Sequence, residues 1–197
     1  MKIKVIAISR EFGSAGRTVG KLTAEKLGIP CYDQDLIQKI AEESGFCKEV
    51  IEEKGEYATH GNWFSGAWGT RDYYGYSIQD DIWFAQRKVI LELAEKGPCV
   101  IVGRCADYIL QNTADCIKVF IHADTKTRAE RIVKQYGESD QAPERRLRDK
   151  DKRRAAYYQL YTDKKWGDVK NYDIALSTSS IGIEKCAEII ADLYNSK

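Results

Sequence analysis

The chain has 197 residues, 31 Lys plus Arg against 30 Asp plus Glu, a formal net charge of +1 and 43% hydrophobic residues. That length and balance imply one soluble globular domain, 1–197, rather than a string of modules, and they speak against a broad nucleic-acid surface. No window approaches the roughly 18 consecutive apolar residues of a membrane span, and the start MKIKVIAISREF turns charged before a signal-peptide core is complete, so the expected setting is cytoplasmic, with no membrane partner.

Lys4 to Ile8 is a short β-branched run, followed by a loop from Ser9 to Gly16. From Arg17 the apolar spacing becomes helical, through Val19, Leu22, Thr23 and Leu27. Gly28 stops that helix, Pro30 opens an extended Cys31-Tyr32, and Asp33 caps a second helix carrying Leu36, Ile37, Ile40 and Ala41. Further apolar runs stand at Cys99 to Val102, Ile117 to Ile121 and Ile174 to Leu176, suited to strands buried on both faces. Helical patterns fill Ser77 to Lys96, Ala106 to Gln111, Thr125 to Tyr136, Pro143 to Tyr161 and Ile183 to Tyr194. The expected fold is therefore α/β, a five-stranded parallel sheet flanked by helices. The six cysteines are scattered, with no C-x-x-C, and read as buried reduced thiols.

Two segments interrupt this alternation. Tyr57 to Tyr76 holds seven aromatic residues and only two charged ones, Arg71 and Asp72. It suits a flap that stacks on a base or covers a ligand, and equally a satellite core or a subunit contact, so a homo-oligomer stays open. Glu144 to Arg154 has seven basic residues against three acidic ones and is rich in arginine, as phosphate recognition requires, although a charge run on a helix is also an ordinary solvated face.

Gly13-Ser14-Ala15-Gly16-Arg17-Thr18 lies between the first strand and the first helix, where backbone N–H groups and the helix dipole cradle anions. Against the pattern G-x-x-x-x-G-K-[ST], Gly16 and Thr18 fit, Arg17 replaces lysine, and Glu11 takes the first glycine position. Glu11 would repel phosphate unless it turns outward or pairs with Arg10 or Arg17. A plain glycine turn joining strand to helix is the alternative. Charged groups also follow successive strands, where a parallel sheet places its ligand crevice. They are Asp33 and Asp35, then Arg104 and Asp107, then His122, Asp124, Arg128 and Arg131, then Thr178 to Ser180. Arg128 and Arg131, three apart, share a helical face and suit one phosphate group, or else pair with Glu130 or Asp124. Phosphoryl transfer needs this mixture of donors, hydroxyl and acids. Neither His60 nor His122 is assigned a catalytic role.

These pieces together resemble the cytidylate kinase-like family, relatives of bacterial cytidylate kinase among the nucleoside monophosphate kinases. The resemblance runs almost end to end. It is carried by Ile8 to Arg17, Tyr32-Asp33-Gln34-Asp35-Leu36-Ile37, Val102-Gly103-Arg104-Cys105-Ala106-Asp107, Arg128-Ala129-Glu130-Arg131 and Arg148-Asp149-Lys150-Asp151-Lys152-Arg153. It implies a P-loop NTPase-type core with an acceptor-binding insertion at 33–76 and a helical lid region at 136–166. ATP and Mg2+ are implied, with Gly13, Ser14, Ala15, Gly16, Arg17 and Thr18 on the ATP phosphates and Thr18 near the metal. Tyr32, Asp33, Asp35 and Arg104 would face the acceptor. Cys105 stands where the family's G-R-D motif has aspartate, so either Asp107 takes over or sugar recognition differs. Arg17, Arg128, Arg131, Arg148 and Arg153 would neutralise charge on the transferring phosphoryl group, and Asp151 falls in the same lid region. Asp149 also suits surface pairing with Arg153.

The implied activity is ATP-dependent phosphoryl transfer to a nucleoside monophosphate, CMP or a related pyrimidine nucleotide. The alternatives are a kinase of another small metabolite, a nucleotide-binding regulatory protein without turnover, and an interaction module built on the aromatic flap.

Overall fold

The computed structural model describes residues 4–46, 51, 78–113 and 115–196. The aromatic segment Tyr57 to Tyr76 lies outside the described residues. The strands are β1 (Lys4–Arg10), β2 (Cys31–Tyr32), β3 (Cys99–Val102), β4 (Asp115–His122) and β5 (Ile174–Ser177). They form one sheet in the order β2-β3-β1-β4-β5, and every pairing is parallel. In register, Val5 to Ile8 face Cys99 to Val102 on one side of β1, and Lys4 to Arg10 face Asp115 to Ile121 on the other.

The helices are α1 (Gly16–Leu27), α2 (Gln34–Ser44), α3 (Ile78–Lys96), α4 (Ala106–Ile109), α5 (Thr125–Tyr136), α6 (Pro143–Thr162) and α7 (Ile183–Ser196), with a 3-10 turn at Val169–Asn171. Because side chains alternate across a strand, β1 feeds two cores. Ile6 and Ile8 join Val100, Val102, Ile121 and Leu176 beneath Val19 of α1 and Cys186 and Ile190 of α7. Val5 and Ala7 join Ile101 on the other face, under Leu36 and Ile40 of α2, Ile90 of α3 and Tyr157 and Tyr158 of α6. Covering both faces explains why β1 and β3 read as continuous apolar runs rather than alternating ones.

Helix ends follow their local chemistry. Gly28, at φ 64°, closes α1 by donating its N–H to the carbonyls of Ala24 and Glu25. Asp124 caps α5, its carboxylate accepting from the Thr127 N–H at 2.8 Å and the Thr127 hydroxyl at 2.7 Å. Those two bonds hold its pKa down at about 2. Helix α4 is shorter than the expected Ala106 to Gln111. The chain leaves it through turns in which Gln111 N–H bonds Tyr108 O and Thr113 N–H bonds Leu110 O, bringing it into β4.

The five described cysteines are free. Burial pushes the Cys99 and Cys116 thiols up to about 12, so both stay protonated and inert. Since all five strands run the same way, their carboxyl ends gather on one edge, and β1 lies at its centre, between β3 and β4.

Gly20 lets α1 sit down on that sheet. A Cβ there would stand 2.9 Å from Val102 Cγ2 and 3.3 Å from Ile8 Cδ1. Gly20→Ala gains about 1 kcal/mol of helix propensity but forces a clash with a buried strand that costs about 1 to 3 kcal/mol. Urea denaturation should show a net loss for Gly20→Ala alone, and a net gain when the same change is made in a Val102→Ala background.

Candidate active site

The loop from Glu11 to Ala15 joins the central strand to α1. Gly13 and Ala15 both take left-handed φ, 77° and 64°, which aims successive N–H groups to one side. No side chain caps α1, so its first amides and its positive dipole end remain available to an anion. Two glycines are sterically required. A Cβ on Gly13 would lie 2.9 Å from Arg128 O, and one on Gly16 would overlap the side chain of Arg10.

Contacts within the loop and from distant elements pin it. Ser14 Oγ donates to Glu11 O at 2.9 Å, and Thr178 Oγ1 donates to Ser14 O at 2.8 Å. Arg131 Nη1 donates to Thr178 Oγ1 at 2.8 Å and to Gly13 O at 3.4 Å. Glu11 does not pair with Arg10 or Arg17 as the sequence suggested. Its Oε2 accepts from Ala123 N at 3.2 Å and lies 3.5 Å from Arg128 Nε. Burial raises its pKa and the Arg128 guanidinium opposes that rise. Arg17 turns instead to Asp33, with Nε 3.2 Å from Oδ1.

Above the loop opens a cavity of about 850 Å³. Phe12, Gly13, Ala15 and Gly16 form its floor. Among the described residues, its walls carry Arg10, Arg17, Arg104, Arg131, Lys134, Arg146, Lys150 and Arg154, against the one carboxylate of Glu11. Eight cations facing one acid, over an uncapped helix start, define a site for a polyanion. The stacked rings of Phe12 and Tyr136, with centroids 5.8 Å apart, and Ile183 of α7 complete the lining.

Helix α6 supplies Arg146, Lys150 and Arg154 at i, i+4 and i+8, one continuous stripe. Its rotation is fixed by Leu147, which packs on Ala129, Ile132 and Phe12, and by Tyr157 and Tyr158 in the main core. That rotation decides which of the expected residues reach the cavity. Arg148 is exposed, and neither it nor Arg153 lines the cavity. Asp149 accepts from Gln141 Nε2 at 2.6 Å and lies 3.9 Å from Arg145 Nε rather than pairing with Arg153. Arg128 is also off the cavity wall. Its Nη1 donates to Asp151 Oδ2 at 2.6 Å and to Phe12 O at 3.3 Å. Arg131, by contrast, does line the cavity.

On the expected acceptor side, Arg104 lines the cavity while its Nη1 donates to Ile51 O at 3.0 Å and its carbonyl accepts from Gln86 Nε2 at 2.9 Å. Gly103, Arg104 and Cys105 all have left-handed φ, 79°, 58° and 55°. Two consecutive non-glycine residues in that region are costly and mark a constrained site. Asp33 is buried beside Arg17, and Tyr32 packs at the edge of the α2/α3 core, both off the cavity lining. Asp35 falls in the first turn of α2, and its side chain lies outside what the structure describes. Asp107 departs from expectation. It is buried, accepts from Tyr158 Oη at 2.7 Å, and does not line the cavity, and burial raises its pKa.

Thr18 is exposed in the first turn of α1 at the cavity rim. Among the described residues, no group of three or more His, Cys, Asp or Glu side chains converges on a common point. No described helix is long and apolar enough to cross a membrane.

The model of the cytidylate kinase-like family matches residues 5–180. A cytidylate kinase of Archaeoglobus fulgidus is 31% identical over 192 residues, covering 94% of this chain and 91% of the relative. The crystal structure of an uncharacterized protein from Eubacterium ventriosum matches with a TM-score of 0.75 at 28% identity, covering 98% and 99% of the two chains. Shikimate kinase from Acinetobacter baumannii, at 17% identity, a TM-score of 0.57 and coverage of 100% and 94%, shares the fold. The chain belongs to the cytidylate kinase-like family, and is a nucleoside monophosphate kinase-like phosphotransferase with a P-loop fold.

The register of α6 is directly testable with inorganic triphosphate as a probe. Lys150→Ala removes one charge from the cavity wall and should weaken triphosphate binding by calorimetry about 3- to 10-fold, the scale of one charge-assisted contact open to solvent. Arg148→Ala should leave that affinity within twofold.

Proposed function

We propose that this member of the cytidylate kinase-like family transfers the γ-phosphoryl group of ATP to a nucleoside monophosphate, CMP or a related pyrimidine nucleotide. The observation that carries the reading is the cavity itself, an uncapped helix start and left-handed loop facing eight cationic side chains. Two phosphate-bearing substrates together need that much positive charge.

In this reading the amides of Gly13 to Thr18 hold the donor phosphates. Arg131, fixed by Thr178, and the Arg146, Lys150, Arg154 stripe surround the transferring group. Arg104, on its constrained turn, holds the acceptor phosphate. An oxygen of the acceptor phosphate attacks the γ-phosphorus, the bond from that phosphorus to the bridging oxygen breaks, and ADP leaves with the electron pair. The chain positions the two reactants in line and neutralises the charge that spreads over the equatorial oxygens. Thr18 Oγ1 and phosphate oxygens would hold Mg2+, which when bound adds further neutralisation. Residues 33–76 act as the acceptor insertion and 136–166 as the lid region of a single domain.

Arg17 links the two halves. Its exposed guanidinium leans onto buried Asp33 and can turn to phosphate when ATP enters. The same contact favours a second reading. A carboxylate beside the phosphate loop repels an acceptor phosphate but suits a hydroxyl whose proton must leave, as in a kinase of another small metabolite.

The deciding assay is ADP production with Mg-ATP against CMP, dCMP, UMP, purine monophosphates and uncharged polyols. CMP-dependent ADP release supports the first reading, and release with a polyol alone supports the second. Arg17→Ala should lower kcat/KM for ATP and Arg104→Ala that for the acceptor, each about 10- to 100-fold, the cost of one desolvated charge-assisted contact of about 1.5 to 3 kcal/mol. ATP binding without turnover on any acceptor would contradict both readings.

A further inference from the structure

We propose that Asp151, acting through Arg128 and the Phe12 amide, is a positioning residue that braces the phosphate loop against α6, and that Glu11 completes the brace. The consequence for ATP rests on the phosphotransferase reading; the brace itself does not.

The geometry closes on itself. Asp151 Oδ1 accepts from Phe12 N at 2.8 Å, and Oδ2 accepts from Arg128 Nη1 at 2.6 Å. Arg128 Nη1 also donates to Phe12 O at 3.3 Å, and its Nε lies 3.5 Å from Glu11 Oε2. Glu11 in turn accepts the Ala123 amide at the end of β4. Arg154 stands 3.8 Å from Asp151 Oδ1 and donates to Arg10 O at 3.1 Å. Two carboxylates and two guanidiniums thus clasp both polar groups of the Phe12 backbone and the last carbonyl of β1. Three of the four partners are less than a fifth exposed, and Glu11 is 25% exposed.

Two oddities of the sequence follow from this arrangement. Glu11 occupies the first glycine position of the phosphate-loop pattern because a carboxylate there is turned to Arg128 and Ala123 rather than to phosphate. Arg128 carries no transferring charge because both its faces are taken by carboxylates. The brace also sets the angle of α6. Asp151 follows Lys150 and precedes Arg154 by three, so its docking on the loop holds the cationic stripe over the cavity. Such a partly buried ionic set specifies register more than it adds stability.

The test compares wild type, Asp151→Asn, Asp151→Glu and Glu11→Gln. Hydrogen–deuterium exchange on the ligand-free protein is read first at amides 12–16 and, as a control, in α7. The expected result is exchange at least 10-fold faster in the loop of Asp151→Asn, with α7 unchanged and partial rescue in Asp151→Glu. With Mg-ATP and the best acceptor, KM for ATP should then rise at least 10-fold while the acceptor KM stays within twofold. A residue that only supports the scaffold would move both together, and that result overturns the positioning role. Unchanged loop exchange in both Asp151→Asn and Glu11→Gln overturns the brace. If Asp151→Asn fails to fold, Glu11→Gln, which leaves the Phe12 contacts in place, should still speed loop exchange and raise KM for ATP selectively. Loop exchange that responds in a wild-type protein with no affinity for ATP would uphold the brace and remove the kinase reading alone.

Discussion

The Arg128 guanidinium sits between Glu11 and Asp151 and beneath the backbone of Phe12. Most of what distinguishes the cavity depends on that placement. A phosphate loop works only if its amides point one way before ligand arrives, and the left-handed residues Gly13 and Ala15 have no regular hydrogen-bonding pattern to keep them there. Beyond the turn bonds of Ser14 to Glu11 O, the stabilisation comes from outside the loop, from Arg128 and Asp151 on one side and Thr178 and Arg131 on the other. Gly13 is glycine because α5 passes so close that any Cβ would press on the carbonyl of Arg128.

The electrostatics of the cavity are arranged by exclusion. Acidic side chains near the phosphate loop are committed elsewhere: Glu11 and Asp151 to Arg128, Asp33 to Arg17, Asp124 to the cap of α5, and Asp107 to Tyr158 in the core. What faces the opening is almost wholly cationic. Such a wall is self-repelling when empty, so a bound polyanion stabilises it, and the low-dielectric sheet edge behind it strengthens each contact. The topology makes this possible, since only an all-parallel sheet brings Arg10, Tyr32, Val102, His122 and Ser177 to a single edge.

Much of this was legible in the sequence. The five strands, their parallel pairing and the loop preceding α1 follow from β-branched runs punctuated by glycine and helical spacing. Arg17, Arg104, Arg131 and Thr18, singled out because each follows a strand end or the loop pattern, line the cavity. The lining of α6 was not found, for a physical reason. Its stretch from Glu144 to Arg154 is charged on nearly every face, and the rotation is set by Leu147 in a small apolar cluster with Phe12, Ala129 and Ile132 together with Tyr157 and Tyr158 in the main core. The period-four stripe of Arg146, Lys150 and Arg154 was available as a signal, but nothing local ranked it above Arg148 and Arg153. Asp107 was misplaced because its partner Tyr158 lies 51 residues away. The partner of Glu11 was likewise invisible, because only the fold brings Arg128 under the loop.

The proposed anion cradle of the cavity is the run of amides from Gly13 to Thr18. Its most direct test is a 1H–15N correlation spectrum of the labelled protein recorded during titration with Mg-ATP. Saturable shifts concentrated at the amides of Gly13, Ser14, Gly16, Arg17 and Thr18, with smaller ones in Arg131 and along α6, are predicted. Saturable shifts that leave those five amides unmoved would place the nucleotide elsewhere and contradict the account.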